Sequence, residues 1–285
     1  MNAKTFLAVT FIGSSLYVPL KADNFDLSRA YLNYNFGQYI SIVNSYAELE
    51  LFMPTFGCEK NMIALDGTAY KFDDGRWASS AGIVLRKCIG EKHAVGFNTY
   101  YDYLRGPCHS NFNRIGVGFE WLSKNFDVRL NGYLPTWKQN QKCDTCVFDD
   151  IGSGYYATET KVVSAYHGLN AEVGRNLWKK HNWGIYAAVG PYYFQQSCLY
   201  TFWGGSIRVE ANWNRYVYMK VRASFDPAYH ANVQGIIGVS IPLDFSFKKR
   251  SEPNLCRNNL RKKIERIGII LTESYCDWTW NWNDN

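Results

Sequence analysis

Long apolar runs are the first thing this chain lacks. Beyond the N-terminal segment there is no stretch of about 20 apolar residues, the length a membrane-crossing helix needs. With a slightly negative mean hydropathy as well, a bundle of membrane helices is excluded. Charge of one sign is also missing. A net +6 over 285 residues is modest, and Lys and Arg are spread singly along most of the chain. The clustered basic patch of a nucleic-acid-binding protein is therefore absent, and no nucleic-acid partner is expected. There is no Gly-x-Ser-x-Gly elbow, P-loop or His-Glu-x-x-His sequence. His93, His109, His167, His181 and His230 are scattered. No catalytic residue, cofactor or metal ligand set is expected, and a hydrolase at a barrel rim is the weakest alternative.

Aromatic residues, in contrast, are abundant: 17% of the chain, with 21 Tyr against 4 Met. Alternation is the other positive signal. Ile115, Val117, Phe119 and Trp121 alternate with Arg114, Gly116, Gly118 and Glu120, and Phe126, Val128 and Leu130 with Asp127, Arg129 and Asn131. Successive strand side chains point to opposite faces, so each run has one apolar face and one charged or small face. An aromatic-rich soluble sheet reads this way too. The runs here are long, however, and are joined only by Ser123, Lys124 and Asn125.

Twelve strands follow from the same pattern. The first six are Ser28–Gln38, Ser45–Pro54, Asn61–Lys71, Arg76–Lys87, Glu91–Leu104 and Asn111–Ser123. The other six are Phe126–Thr136, Val162–Leu177, His181–Gln195, Phe202–Trp213, Tyr216–Tyr229 and Asn232–Phe247. The number is even, and the connections alternate between short turns (Thr55–Lys60, Cys88–Gly90, Ser123–Asn125, Trp178–Lys180, Asn214–Arg215) and mostly longer loops. The longest loop is Trp137–Lys161. This is the pattern of an all-β, 12-stranded antiparallel transmembrane β-barrel of the bacterial outer membrane, closed because no strand edge can face lipid. Outer-membrane lipid and the barrel assembly machinery are the implied partners. The assembly signal is placed on the last strand, at Val239, Ile241, Leu243, Phe245 and Phe247.

Residues 1–22 read as an export signal: Lys4, a mostly apolar stretch from Phe6 to Leu20, then Lys21-Ala22. The barrel is assigned to residues 23–247 and a basic, Trp-rich tail to 248–285. Eight cysteines fit an exported chain. Cys58, Cys88, Cys108, Cys143, Cys146 and Cys198 are expected in turns or loops, with Cys143 and Cys146 in the longest surface loop, where a disulfide closing that loop is the plain expectation. In the tail, Asn254–Ile267 is expected to form a short helix. Arg257, Arg261, Lys262, Lys263 and Arg266 are the candidates for plugging the lumen, against inward acids such as Glu48, Glu120, Glu172 or Glu210; a freely solvated helix is the alternative. Trp278, Trp280 and Trp282 share one face of an extended segment, suited to glycan contact, interfacial anchoring or rim packing.

Three strings carry a family resemblance: Gly96-Phe97-Asn98-Thr99-Tyr100-Tyr101-Asp102-Tyr103, Arg114-Ile115-Gly116-Val117-Gly118-Phe119-Glu120 and Asn131-Gly132-Tyr133-Leu134-Pro135. In this order and spacing they resemble the β-domain of inverse autotransporters, the intimin and invasin family of Gram-negative outer membranes. Weaker similarity extends over roughly residues 28–270. The resemblance implies a twelve-stranded barrel with a periplasmic N-terminus, whose following chain threads the lumen to display an extracellular passenger. Only Lys248–Asn285 follow the barrel here, too few for such a passenger. The resemblance thus implies a surface-exposed envelope or adhesion protein, possible partners being host-surface or envelope proteins. A small-solute pore is the alternative.

Overall fold

The computed structural model describes residues 28–57, 60–148, 155–180, 182–214, 216–243 and 255–282. The expected signal segment, residues 1–22, and the side chains of Phe245, Phe247 and Arg257 lie outside the described residues.

Twelve strands close a barrel: β1 (Arg29–Gly37), β2 (Tyr46–Gly57), β3 (Asn61–Phe72), β4 (Trp77–Ile89), β5 (His93–Arg105), β6 (Asn111–Ser123) and β7 (Asp127–Thr136), then β10 (His167–Lys180), β11 (Trp183–Gln195), β12 (Phe202–Trp213), β13 (Val217–Asp226) and β14 (His230–Pro242). All neighbours are antiparallel, and β1 seals against β14 from Arg29↔Pro242 to Gly37↔Gln234. Closure leaves no unpaired barrel edge in the membrane. We call the end where β1 starts and β14 finishes proximal, and the opposite end distal.

The alternation of the sequence becomes two surfaces. On β1, Leu32, Tyr34 and Phe36 point outward and are exposed, whereas Tyr31, Asn33 and Asn35 are buried inside. On β6, Ile115, Val117 and Phe119 face out while Arg114 and Glu120 are buried within the lumen. A polar interior behind an apolar belt is how strands satisfy lipid and lumen at once.

Three segments differ from the sequence reading. The expected loop Trp137–Lys161 contains a hairpin, β8 (Asn140–Phe148) and β9 (Tyr155–Ala165), which joins β15 (Thr272–Trp282) in a three-stranded sheet ordered β15-β9-β8. Most of β8 is exposed on both faces, so it carries no one-sided apolar pattern to read. Val162–Leu177, expected as one strand, is β9 followed by β10. The break is at buried Tyr166, whose N–H goes to the Leu271 carbonyl at 3.0 Å; β9 pairs with β15 and β10 with the barrel strand β7. Trp178–Lys180, expected as a turn, completes β10.

The expected helix Asn254–Ile267 is helical only as α1, Leu255–Leu260. After a turn at Arg261 the chain to Leu271 is neither helix nor strand, with bends at Arg266 and Ile269.

Candidate functional site

The lumen is filled by the segment that follows α1. At the proximal mouth, Cys256 is disulfide-bonded to Cys88 near the end of β4. Leu260 and Ile264 pack there among Tyr31, Phe52, Met62, Val84 and Tyr100. At the distal mouth, Ile267, Ile269, Ile270 and Leu271 pack among Tyr39, Tyr46, Tyr70, Phe72 and Phe194. The tail therefore enters at one end and leaves at the other, where it continues into β15.

A chain that is neither helix nor strand has no regular partners for its carbonyls, so the wall supplies donors. Arg86 donates to the carbonyls of Leu260 (2.8 Å) and Lys262 (2.6 Å). Arg114, fully buried, donates to the carbonyls of Ile267 and Ile269. Each arginine is held in turn by a wall acid: Arg86 by Glu120 and Arg114 by Asp102, both at 2.7 Å. The Ile267 N–H donates to the Tyr133 hydroxyl at 2.8 Å. Charge-assisted bonds of this kind fix the path of the tail.

Its side chains form ion pairs with the wall. Lys262 meets Asp127 at 2.6 Å, and Lys263 meets Glu50 at 2.7 Å and Glu48 at 3.2 Å. Arg266 bonds Asp102 and Ser80 and lies over the Tyr100 ring, 4.1 Å from its centre. Of the four expected acids, Glu48 pairs with a tail base, Lys263. Glu120 is bound by Arg86 and Arg129, Glu172 by Arg129 and Arg208, and Glu210 by Arg208 and Lys220. Arg261 sits just beyond α1 at the proximal mouth, in a cleft shared with Arg29 and Asn212.

Sequence reasoning missed Glu265. This tail acid reaches Lys220 (2.7 Å), Arg222 (2.9 Å) and Arg208 (3.3 Å), so part of the pairing runs opposite to the expected sense. Its signal was present in three inward-facing bases on β12 and β13. The motif glycines also have a spatial role. A Cβ at Gly116 would stand 2.7 Å from Arg266 Nη2, and one at Gly118 would stand 2.5 Å from Asn98 Oδ1. Side chains there would displace the plug or the wall amides that face it.

At the distal rim, Cys143 is bonded to Cys108 in the β5–β6 connection, not to Cys146. Cys143 is the bulged residue between Lys142 and Asp144, so strand alternation does not set its direction. Cys88, Cys143 and Cys146 thus lie in strands rather than loops. Cys146, Cys198 and Cys276 are free and exposed. The hydrogen bond from Cys276 to the Glu159 carboxylate raises the thiol pKa above its ordinary value. Tyr229 donates to Glu273 at 2.9 Å, tying β15 to the β13–β14 turn. Val239 and Ile241 of β14, and Leu243 just beyond it, are exposed on the outer surface.

A closed antiparallel barrel with an apolar belt, filled by its own C-terminal segment, defines an outer-membrane β-barrel of the autotransporter type. The family model described as inverse autotransporter, beta-domain, matches residues 25–179, more than half of the chain, and the chain belongs to that family. An attaching and effacing protein homolog of Escherichia coli (strain K12) is 30% identical over 96 residues, which is 33% of this chain and 31% of that protein. The chain thus spans about a third of the length of the curated relative it matches. A structure solved for work on the in-meso crystallization of membrane proteins covers 87% of this chain and 99% of its own, with a TM-score of 0.63 at 16% identity. The β-domain of the Bordetella autotransporter BrkA covers 75% of this chain and 96% of its own, with a TM-score of 0.32 at 9% identity.

Proposed function

We propose that this barrel sits in the outer membrane of a Gram-negative bacterium and anchors its own C-terminal segment at the cell surface. There the distal rim serves adhesion or contact with host-surface or envelope proteins. One observation carries the reading: residues 261–271 run from the proximal to the distal mouth, with Lys262, Lys263, Glu265 and Arg266 each ion-paired to the wall. Such a path suits a segment that is held and displayed. The exposed apolar residues at the end of the barrel, Val239 and Ile241 of β14 and the following Leu243, suit recognition by the barrel assembly machinery, and the outer belt suits membrane lipid. The name of the E. coli relative, attaching and effacing protein homolog, agrees with an adhesive role.

A pore is the second reading. Beside the tail, the lumen keeps a cleft of about 550 Å³ at the proximal mouth, lined by Asp127, Arg129, Arg208 and Lys263, and narrows to about 50 Å³, room for a few waters, near Glu50, Asp66 and Ile264. No catalytic role is proposed. An epitope appended after Asn285 and stained on intact cells tests display. The anchoring reading expects staining without permeabilisation; staining only after permeabilisation overturns it.

A further inference from the structure

The distal sheet and the loops beside it enclose a cleft of about 770 Å³, within the size range of ligand sites. One wall is the β1–β2, β3–β4 and β5–β6 connections, and the other is the base of β9 and β15. Of its charged groups, Arg76 pairs with Asp74 at 2.6 Å, and the acid Glu273 accepts from Tyr229 and keeps its charge. Arg105 and Lys161, both exposed, have no ion-pair partner among the described residues. The cleft therefore presents two cations outside any ion pair, against the single carboxylate of Glu273.

The sheet face that lines this cleft continues outward as an aromatic platform. Side chains alternate along a strand, so Thr272, Ser274, Cys276, Trp278 and Trp280 share one face, opposite Val163, Lys161, Glu159 and Ala157. Phe148 of β8 shares it through its pairing with Ala157. Phe148 and Trp278 lie nearly parallel, 5.6 Å apart with 24° between planes, over buried Ala157. Trp280 is 65% exposed. From Lys161 to Ala157 is four strand positions, about 13 Å, so one ligand touching both regions is an oligomer. Six positions, about 20 Å of strand, separate Trp278 from Thr272 at the sheet base. That distance favours a soluble ligand over lipid headgroups for the platform.

We propose that this face binds an acidic oligosaccharide, its carboxylates at Arg105 and Lys161 and its sugar rings on Trp278 and Trp280. Flat aromatic faces stack on the apolar side of a sugar ring, while guanidinium and ammonium groups take carboxylates. Glu159, between the two regions, accepts a sugar hydroxyl and requires that position of the ligand to be neutral. His109, Ser41 and Ser274 line the cleft as further hydrogen-bonding groups. The biological use rests on the distal end facing outward; the binding itself does not.

Calorimetry on the full-length protein in detergent separates the two. The probes are a hyaluronan tetrasaccharide for an animal source, a colanic acid fragment for a bacterial one, neutral cellotetraose and an acidic peptide, polyglutamate. At low salt at least one acidic saccharide binds about tenfold tighter than cellotetraose, the worth of one charge-assisted pairing, and the tighter of the two identifies the source. Arg105→Gln with Lys161→Gln removes that preference. Trp280→Ala weakens acidic and neutral saccharides together. All three residues are exposed, and heat-modifiable migration in SDS gels verifies that the variants fold. No saccharide binding overturns the proposal. So does polyglutamate binding as tightly as the saccharides with no effect of Trp280→Ala, which would leave only an anion cleft. If binding holds while the epitope after Asn285 proves periplasmic, the anchoring reading fails and the site stands.

Discussion

At the residue scale, Glu265 joins the tail to the barrel through three wall bases. It gathers Arg208, Lys220 and Arg222, and it is itself buried. Removing one member of a buried ion network leaves the others uncompensated, at a cost of about 3 kcal/mol. Glu265→Gln is therefore expected to lower the temperature at which the protein loses its compact, heat-modifiable migration in SDS gels. An unchanged transition would mean that the lumen network does not depend on this acid. Glu265 was not legible as a plug residue, because a strongly basic stretch, Arg261 to Arg266, surrounds it and suggested pairing of one sense. Its partners were legible: Arg208, Lys220 and Arg222 fall on the inward phase of their strands.

Cys276 is a second residue whose behaviour follows from one neighbour. A carboxylate beside a thiol disfavours the thiolate, which is the reacting form. With its pKa raised by Glu159, Cys276 reacts with maleimide near pH 7 more slowly than an ordinary exposed thiol, and the rate recovers as pH rises. Glu159→Gln is expected to speed the reaction near neutrality. A rate indifferent to that substitution would contradict the contact.

At the scale of elements, α1 and β15 hold the two ends of the plug. The Cys88–Cys256 bond fastens α1 to β4 across 168 residues of sequence, a closure of about 4–5 kcal/mol in a chain-entropy account. The Cys108–Cys143 bond fastens the hairpin against which β15 pairs from Thr272 to Trp282. Cys256→Ser is expected to let protease remove the tail from folded, detergent-solubilised protein much faster than from the wild type, while the barrel core persists. Equal protection would show that the ion pairs alone retain the tail.

The elements also show what sequence could and could not convey. All twelve barrel strands were readable because each must be apolar on its lipid side, a constraint that leaves a mark at every second residue. In the rim sheet the buried apolar residues, Ala157, Val162, Val163 and Ala165, belong to β9, whereas β8 is mostly exposed, so no face of β8 is forced to be apolar. The tail's irregular course depends on carbonyl partners, Arg86 and Arg114, that are more than 150 residues away. Local propensity has no access to them and favoured a longer helix.

At the scale of the molecule, the β6 alternation and its glycines have one explanation. Apolar residues face the membrane, Arg114 and Glu120 organise the lumen, and the glycines leave room where the tail and facing side chains pass. The barrel and its contents are one object: Glu48, Glu50 and Arg222 of the wall meet their opposite charges on the tail. Single-channel recording in planar bilayers tests this most directly, comparing the full-length protein with a form ending at Lys248. A filled lumen predicts a nearly silent full-length protein and a steady, open conductance after truncation. Equal, steady conductance from both would contradict it.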